Sequence, residues 1–598
     1  MAATAARRYD DYTDPAEKFR RYETLRASLW SERQSGFDAH WRDLGDFLMP
    51  RRTRFWTSDR NRGDKRNQHI INSTGRFAAR TLASGLHAGL TSPARPWMKL
   101  TTHDASLAEK ADVKAWLYLV SQRMLTMFAT TNLYNVLPLV YMDMGCFATG
   151  VMSILDDTRD LFRCYSYPLG SYALGQDERG LVTTFVRDYE LTVRQIVKSF
   201  GVQENGRDID WSPISLSVKN QWDRGDYEQP VKLTWIVTPN EYADRKKLGA
   251  KFLPWSSCHF EAGGPERKFL RESGFETFPI MAPRWDITGE DTYGTDCPGM
   301  TALGDVRQLQ IMERDKGRAI KKQIDPPLTG PNSLRSQKTS LLPGDITYLD
   351  VGQGQQGLKS IHEIHLDLGD FLRSQSAVEY RIQRAFYEDL FLMLQRSDDS
   401  RGAQPLTARE VDERHEEKYL ALGPVVERTG DELLDPIVDR VYKLMEKANL
   451  IPPAPRALLG VNLKVEYISI LSQAQKLLGV VGQDRFLTSV AGIAATNPEA
   501  RHKLDAFQAI DNYGDMLGVD PRIIRPTADA QAMAKAEADA QQAAASSDQA
   551  LKVAQAAKAA SASPLTGDSV LSSLASQAAP GAAAAGSVAP SQVVPGVH

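Results

Sequence analysis

Asp370-Phe-Leu-Arg-Ser-Gln-Ser-Ala-Val-Glu-Tyr-Arg-Ile-Gln-Arg-Ala-Phe-Tyr-Glu-Asp-Leu-Phe-Leu-Met-Leu394 is the stretch around which the rest of the chain can be arranged. Phe371, Val378, Ile382, Phe386, Leu390 and Leu394 recur every three or four residues, which puts them on one face of a helix. The run breaks at Arg396-Ser-Asp-Asp-Ser-Arg-Gly-Ala-Gln-Pro405, a loop with two arginines, two aspartates, a Gly and a Pro. Helix resumes at Leu406-Thr-Ala-Arg-Glu-Val411 and continues towards Lys447. Thr407 and Glu410 have the spacing of a reciprocal capping box, and Leu406 and Val411 are placed to close a hydrophobic staple over it. A polar loop is thus held at both ends. No cofactor motif or catalytic cluster lies in it, so the first reading is mechanical.

Upstream, the spacing predicts a helix over 300–324. Leu303, Val306, Leu309, Met312, Ile320 and Ile324 fall mostly on one face, and Arg314, Arg318, Lys321 and Lys322 on another. Asp325-Pro-Pro327 stops it. Residues 325–368 are non-helical and rich in Gly, Gln and Ser, with strands expected at Asp345-Ile-Thr-Tyr-Leu349 and Ile364-His-Leu-Asp-Leu368. One helix leaves the body, a small module sits at its far end, and a second helix returns. At about 1.5 Å per residue each helix is roughly 30–37 Å long, which makes a stalk with a tip.

Before the stalk, 16–49 reads as charged helix closed by Pro50. Arg51, Arg52, Arg54, Arg60, Arg62, Lys65 and Arg66 follow, with Phe55 and Trp56 among them. Basic residues interleaved with aromatics suit nucleic-acid stacking, but surrounding acids and the lack of a binding-fold signature favour a solvated connector. In Asn72-Ser-Thr-Gly-Arg-Phe-Ala-Ala-Arg-Thr-Leu-Ala-Ser-Gly-Leu-His-Ala-Gly-Leu90, Gly75, Ala79, Ala83 and Gly89 would let another backbone approach, so this helix is expected to be buried. Helices follow at 112–128 and 132–147. From Gly150 the period shifts towards two, with strands at 151–155, 181–186 and 231–237. Beyond 447 come a Pro452-Pro-Ala-Pro455 break, a strand at 463–468 and helices to about residue 517. Residues 527–562 are helix-prone, and 563–598 lack periodicity and read as disordered. The fold class is α+β, mainly helical.

The 598 residues exceed what one core holds. With 72 Lys and Arg against 75 Asp and Glu, any nucleic-acid contact must be local or weak. Cys146, Cys164, Cys258 and Cys297 lack the spacing of a disulfide framework or a zinc site. The N-terminus has no signal-peptide run, and Pro138 and Asp143 interrupt the most apolar window, so a cytoplasmic chain without a membrane span is expected.

Several motifs imitate chemistry. Gly352-Gln-Gly-Gln-Gln-Gly357 matches GxGxxG, but a strand-like run follows where a dinucleotide site needs a helix N-terminus. No P-loop occurs. On a strand, the imidazoles of His362-Glu-Ile-His365 would point to opposite faces. Asp398-Asp399 lacks a third carboxylate, and Cys258-His259 lacks a third partner. No enzyme, cofactor or metal is expected.

Asn72-Ser-Thr-Gly75, Leu82-Ala-Ser-Gly-Leu86, Leu90-Thr-Ser-Pro93 and Trp97, then Phe147-Ala-Thr-Gly150, form an ordered set of short motifs. Pro283-Arg-Trp285, Tyr293-Gly294, Pro298 and Asp305-Val-Arg307 continue it. Leu406-Thr-Ala-Arg-Glu410, Glu416, Leu422-Gly-Pro424, Glu432, Pro436, Tyr467-Ile-Ser469 and Leu471-Ser-Gln-Ala-Gln475 complete it. Together they resemble the portal, or head-to-tail connector, proteins of short-tailed bacteriophages. Thr295-Asp-Cys-Pro298 departs from that family's usual small residue and Pro after Tyr-Gly, and the tail beyond Arg525 matches nothing in particular.

The resemblance implies a homododecameric ring at one capsid vertex, through which DNA is packaged and ejected. It implies a wing over 1–300 with part of 413–460, stem helices over 301–324 and 369–395, and a clip over 325–368. A tunnel loop over 396–406, a wing or crown helix over 407–460, a crown over 461–526 and the tail 527–598 complete the subunit. The clip, with Tyr348, Gly352, Gly354 and Gly357, would dock the terminase large subunit and later the tail adaptor or nozzle proteins. Arg396, Asp398, Asp399 and Arg401 would narrow the channel, and Arg314, Arg318, Lys321 and Lys322 would form a basic stripe on the stem. Contact with double-stranded DNA would be non-specific and transient, since each neutralised phosphate adds salt-dependent affinity. Major capsid and scaffolding proteins are further implied partners; the location is the virion, with assembly in the host cytoplasm. The alternatives are another DNA-processing component, which would cleave DNA with Mg²⁺, and a tail structural component, which is usually shorter and β-rich.

Overall fold

A computed structural model of the chain describes residues 15–55, 63, 65–108, 110–201, 208–244, 246–264, 266–324, 328–329, 359–360, 368–391, 422–458, 460–461, 463–467, 486–493, 504–517, 525 and 527–561. They fall into two compact units, Met1–Ile523 and Ile524–His598.

The first unit is α+β and mainly helical. It begins with α1 (Pro15–Gly36), α2 (Asp38–Phe47), α3 (Thr74–Leu90), β1 (Met98–Thr102), α4 (Ala111–Thr130) and α5 (Leu133–Phe147). The strongly apolar α5 lies in the main core, with Leu133, Leu137, Val140, Tyr141, Met144 and Phe147 buried. Pro138 sits just past its first turn, where the missing N–H removes one intrahelical bond. Asp143 stays in that core by a two-pronged pair with Arg52, whose Nε donates to Oδ1 at 2.9 Å. The helix ends at Ala148 in the left-handed region, φ 64°, and the chain turns into a strand.

That strand, β2 (Met152–Asp157), pairs antiparallel with β3 (Leu161–Ser166) and with β9 (Ile280–Met281). A five-stranded antiparallel sheet runs β4 (Tyr172–Gln176), β5 (Val182–Thr192), β6 (Pro230–Pro239), β7 (Trp255–Glu261), β8 (Phe269–Phe275). Between β5 and β6, α6 (Leu216–Arg224) starts at Ser215, whose side chain caps the Val218 N–H, and ends at Gly225, φ 84°. Strands β2, β5 and β6 stand where the sequence predicts strands; β3, β4, β7 and β8 were not anticipated. The reason is plain in β7, Trp-Ser-Ser-Cys-His-Phe-Glu. Its serines are buried because each finds a partner: Trp235 Nε1 donates to Ser257 Oγ at 3.0 Å, and Tyr22 OH to Ser256 Oγ at 3.1 Å. Helix α1 covers this sheet, with Phe19 packed on Phe260 and Phe269.

Two long helices follow, α7 (Pro298–Ile324) and α8 (Leu368–Ala385). Short strands β10 (Leu328–Thr329) and β11 (Lys359–Ser360) pair antiparallel between them. Leu303, Val306 and Leu309 of α7 and Val378 and Ile382 of α8 enter the main core. Beyond Gln310 no residue of α7 is buried, so its last part runs clear of the body. The unbroken helix expected over 369–395 is not what forms. Tyr387 adopts φ 55° and its ring lies 6.2 Å from that of Trp285, and the chain restarts as α9 (Glu388–Phe391). The turn lets Phe386 and Leu390 both reach the core. The small residues of α3 are covered from within the chain: a Cβ at Gly75 would meet Leu48 and Val306, and one at Gly85 would lie 2.2 Å from Phe391 Cδ1. The expectation that this face receives another backbone is thus answered by the chain's own side chains.

α10 (Gly423–Thr429), a wide helical turn over Gly430–Leu434 and α11 (Asp435–Lys447) bury Leu433, Ile437, Val441 and Leu444. β12 (Leu463–Tyr467) pairs antiparallel with β1, Met98 opposite Tyr467. α12 (Ala506–Leu517) follows. In the basic segment, Arg52 is a core strut, the Arg54 N–H bonds Leu169 O, and Phe55 lies under the Arg42 guanidinium at 4.9 Å. Trp56, Arg60 and Arg62 lie outside the described residues. In the second unit, α13 (Thr527–Ser561) is one Ala-rich helix; the tail 562–598 lies outside the described residues. Among the described residues no helix is long and apolar enough to cross a membrane.

Candidate nucleic-acid interface on the paired helices

The pairing of α7 with α8 is fixed by polar side chains set into apolar faces. Gln310 Oε1 accepts from the backbone N–H of Ile71 at 2.6 Å and of Asn72 at 2.8 Å, and Gln310 Nε2 donates to Asn72 O at 2.9 Å. Asn72 Nδ2 donates to Glu379 Oε1 at 3.0 Å and Glu313 Oε1 at 3.3 Å. Gln375 Nε2 donates to Glu313 Oε1 at 2.6 Å and to Glu379 Oε1 at 3.1 Å, and Lys316 Nζ donates to Gln375 Oε1 at 3.3 Å. On another flank, Arg381 Nη2 donates to Asp305 Oδ1 at 2.8 Å. The start of α3 and both long helices are therefore cross-linked at one level, where a slip would leave buried amides unpaired. Gln310 and Gln375 break the apolar spacing of their helices, a signal the sequence reading passed over.

Past this network, Arg314, Arg318, Lys321 and Lys322 are all exposed. Arg318 approaches Asp315 at 3.5 Å in a pair open to water, worth little. Arg314, Lys321 and Lys322 form no ion pair among the described residues. Exposed cations on a helix surface are solvated and free to touch phosphates. Arg396, Asp398, Asp399 and Arg401 lie outside the described residues, as do Tyr348, Gly352, Gly354, Gly357, the Thr407/Glu410 box and the strand expected at 345–349; of the strand expected at 364–368 only Leu368 is described, and it opens α8 instead.

Elsewhere the reactive side chains are occupied in packing. The four cysteines are free buried thiols, and burial pushes Cys258 above its ordinary value. His259 stacks on Trp235 with ring centres 5.6 Å apart and meets Tyr189 OH at 3.0 Å. Burial, with Arg271 and Arg187 adding repulsion, pulls it down to about 3. These two side chains serve the sheet. A cavity of about 280 Å³ is lined by Arg26, Trp30, Arg54, Phe55 and Asp188, but Arg26 and Asp188 are already paired. Among the described residues no group of His, Cys, Asp and Glu could hold a metal ion.

The sequence matches the family described as bacteriophage head to tail connecting protein over residues 20–524. It is 42% identical over 552 residues to the portal protein of Salmonella phage epsilon15, covering 92% of this chain and 97% of that relative. To the "Probable portal protein" of Bordetella phage BPP-1 it is 41% identical over 517 residues, 86% of this chain and 90% of the other. A chain from the virion of a native gene transfer agent particle is 11% identical with a TM-score of 0.33, covering 74% of this chain and 92% of its own, too loose a likeness to argue from. The chain belongs to the portal, or head-to-tail connecting, proteins of bacteriophages.

Proposed function

We propose that copies of this chain close into a dodecameric ring at one capsid vertex, and that double-stranded DNA passes through its centre during packaging and ejection. The observation that carries this reading is the α7–α8 pair. Its root is locked by the Asn72–Gln310–Gln375 network, while its far part exposes Arg314, Arg318, Lys321 and Lys322. Repeated around a ring, those cations would line a passage with weak, sequence-independent attraction for phosphate. A chain with a formal net charge of −3 limits the hold, as a moving duplex requires. Residues 396–406 would narrow the passage, with Arg396 and Arg401 touching phosphate and Asp398 and Asp399 limiting the grip. The 325–368 module, with Tyr348, Gly352, Gly354 and Gly357, would dock the terminase large subunit during packaging and the tail adaptor afterwards.

The test replaces Arg314, Arg318, Lys321 and Lys322 together by Ala. Rings should still form, and their DNA affinity should fall less steeply with salt, the log–log slope shrinking by roughly 0.9 for each phosphate no longer neutralised. Capsids should hold less DNA. Variant rings that bind DNA with the original salt slope and fill capsids like the wild type would refute the role given to this face.

A further inference from the structure

Two faces of the first unit carry charge that the chain itself leaves largely unbalanced. On α3, Arg76 and Arg80 lie one helical turn apart, and the Phe77 ring between them is 64% exposed. Neither arginine forms an ion pair or hydrogen bond from its guanidinium among the described residues, and Arg76 Nε is buried without an acceptor. Burial and the nearby Arg80 and Arg51 guanidiniums hold the Arg76 side chain below its ordinary value. Phe77 thus stands in water beside two like charges that repel each other.

The opposite sign gathers on the helical run through α10 and α11. Asp431, Asp435 and Asp439 recur every four residues, with Asp431 exposed. Burial first, then Asp431, raises the Asp435 carboxyl; burial first, then Asp435, raises that of Asp439. Tyr467 OH donates to Asp435, and Lys443 offsets Asp439 in part. No ion pair joins any of the three to an arginine or lysine among the described residues. Both charged runs pack on α5, α3 through Leu82 against Gly145 and α10 through Thr429 against Met144. No ion pair connects them within one copy. Guanidiniums and carboxylates are natural bidentate partners, so two copies can satisfy what one cannot.

We propose that Arg76, Phe77 and Arg80 of one copy dock against the exposed Asp431 and Asp439 of the next. Such a contact joins different faces of identical chains and so propagates in one rotational sense, which is what a ring needs. Phe77 supplies the apolar centre and the charges its flanks. The inference rests on the ring proposed above and names the seam that closes it.

Sedimentation velocity and negative-stain images of four proteins test it: wild type, R76E/R80E, D431R/D439R and the combination of all four changes. Asp435 is left in place because Tyr467 uses it. Each charge-reversed pair should raise the concentration for half-assembly by about tenfold or more, since like charges then face each other. The combined protein should regain rings, which also shows that the altered chains fold. Two reversed pairs that assemble like the wild type would overturn the seam, as would a folded combined protein no better than either pair. So would R76E/R80E rings that form normally but lose DNA, which would make the α3 face a nucleic-acid surface. A wild type that stays monomeric removes the ring and the seam together, whereas a wild-type ring indifferent to these changes removes the seam alone.

Discussion

At the scale of single residues, the body is held by buried arginines that reach across long stretches of chain. Arg284, 2% exposed, gives its backbone N–H and Nε to Glu432 at 2.8 and 3.0 Å and its Nη2 to Gly180 O at 2.8 Å. Arg440 bonds Ile154 O at 2.6 Å and Thr277 O at 2.9 Å, and Arg33 bonds Gly170 O at 2.8 Å while pairing with Asp38 at 3.0 Å. Each satisfies several acceptors at once, which makes guanidinium suited to the task and lysine unsuited. His259 makes the clearest pH prediction. Its pKa is lowered to about 3 in the fold, against roughly 6.5 unfolded. The unfolded chain therefore binds the extra proton first as pH falls. The contribution is intact above about pH 6.5 and is lost between there and about 3, at up to roughly 1.4 kcal/mol per pH unit. His259→Gln should lose less urea stability than the wild type between about pH 6.5 and 4.5; equal losses would show that the ring does not titrate as a buried base. Little of this was legible. The resemblance marked both Arg284 and Glu432, but that the two pair is a matter of tertiary neighbours that no local pattern specifies.

At the scale of elements, sequence legibility followed periodicity. Both long helices were readable because Leu303, Val306 and Leu309, and Val378 and Ile382, keep helical spacing and are buried. The break at Tyr387 was not, since tyrosine is no helix breaker and only its seat by Trp285 explains it. Glycines within helices divide into two kinds. Gly85 faces Phe391 so closely that Gly85→Ala must displace the ring. Overpacking should cost about 1–3 kcal/mol, more than the gain of about 1 kcal/mol in helix propensity. Gly304, inside α7, has nothing within 4 Å of where a Cβ would stand. Gly304→Ala should therefore stabilise the isolated subunit by about 0.5–1 kcal/mol. Urea unfolding of the two variants side by side checks the pair; the same sign for both would mean that the packing at Phe391 is not as described.

At the scale of the whole molecule, the order of short motifs along the chain carried the family, and it survives comparison because a matching family spans 20–524. What the sequence could not carry is which faces of the subunit remain uncovered, since that depends on how the chain fills its own grooves. The small-residue helix α3 is buried as expected, and at Gly75 the space is filled by the chain's own Leu48 and Val306. Among the described residues, exposed charge includes Arg80 beside Phe77, Asp431 and Asp439, and the cations of α7. The most direct measurement is class-averaged electron microscopy of the purified full chain at moderate salt. Closed rings of one subunit number, with a central hole wide enough to pass a DNA duplex, are the expected result. Monomers, two-fold dimers or open filaments across the concentration range would contradict it.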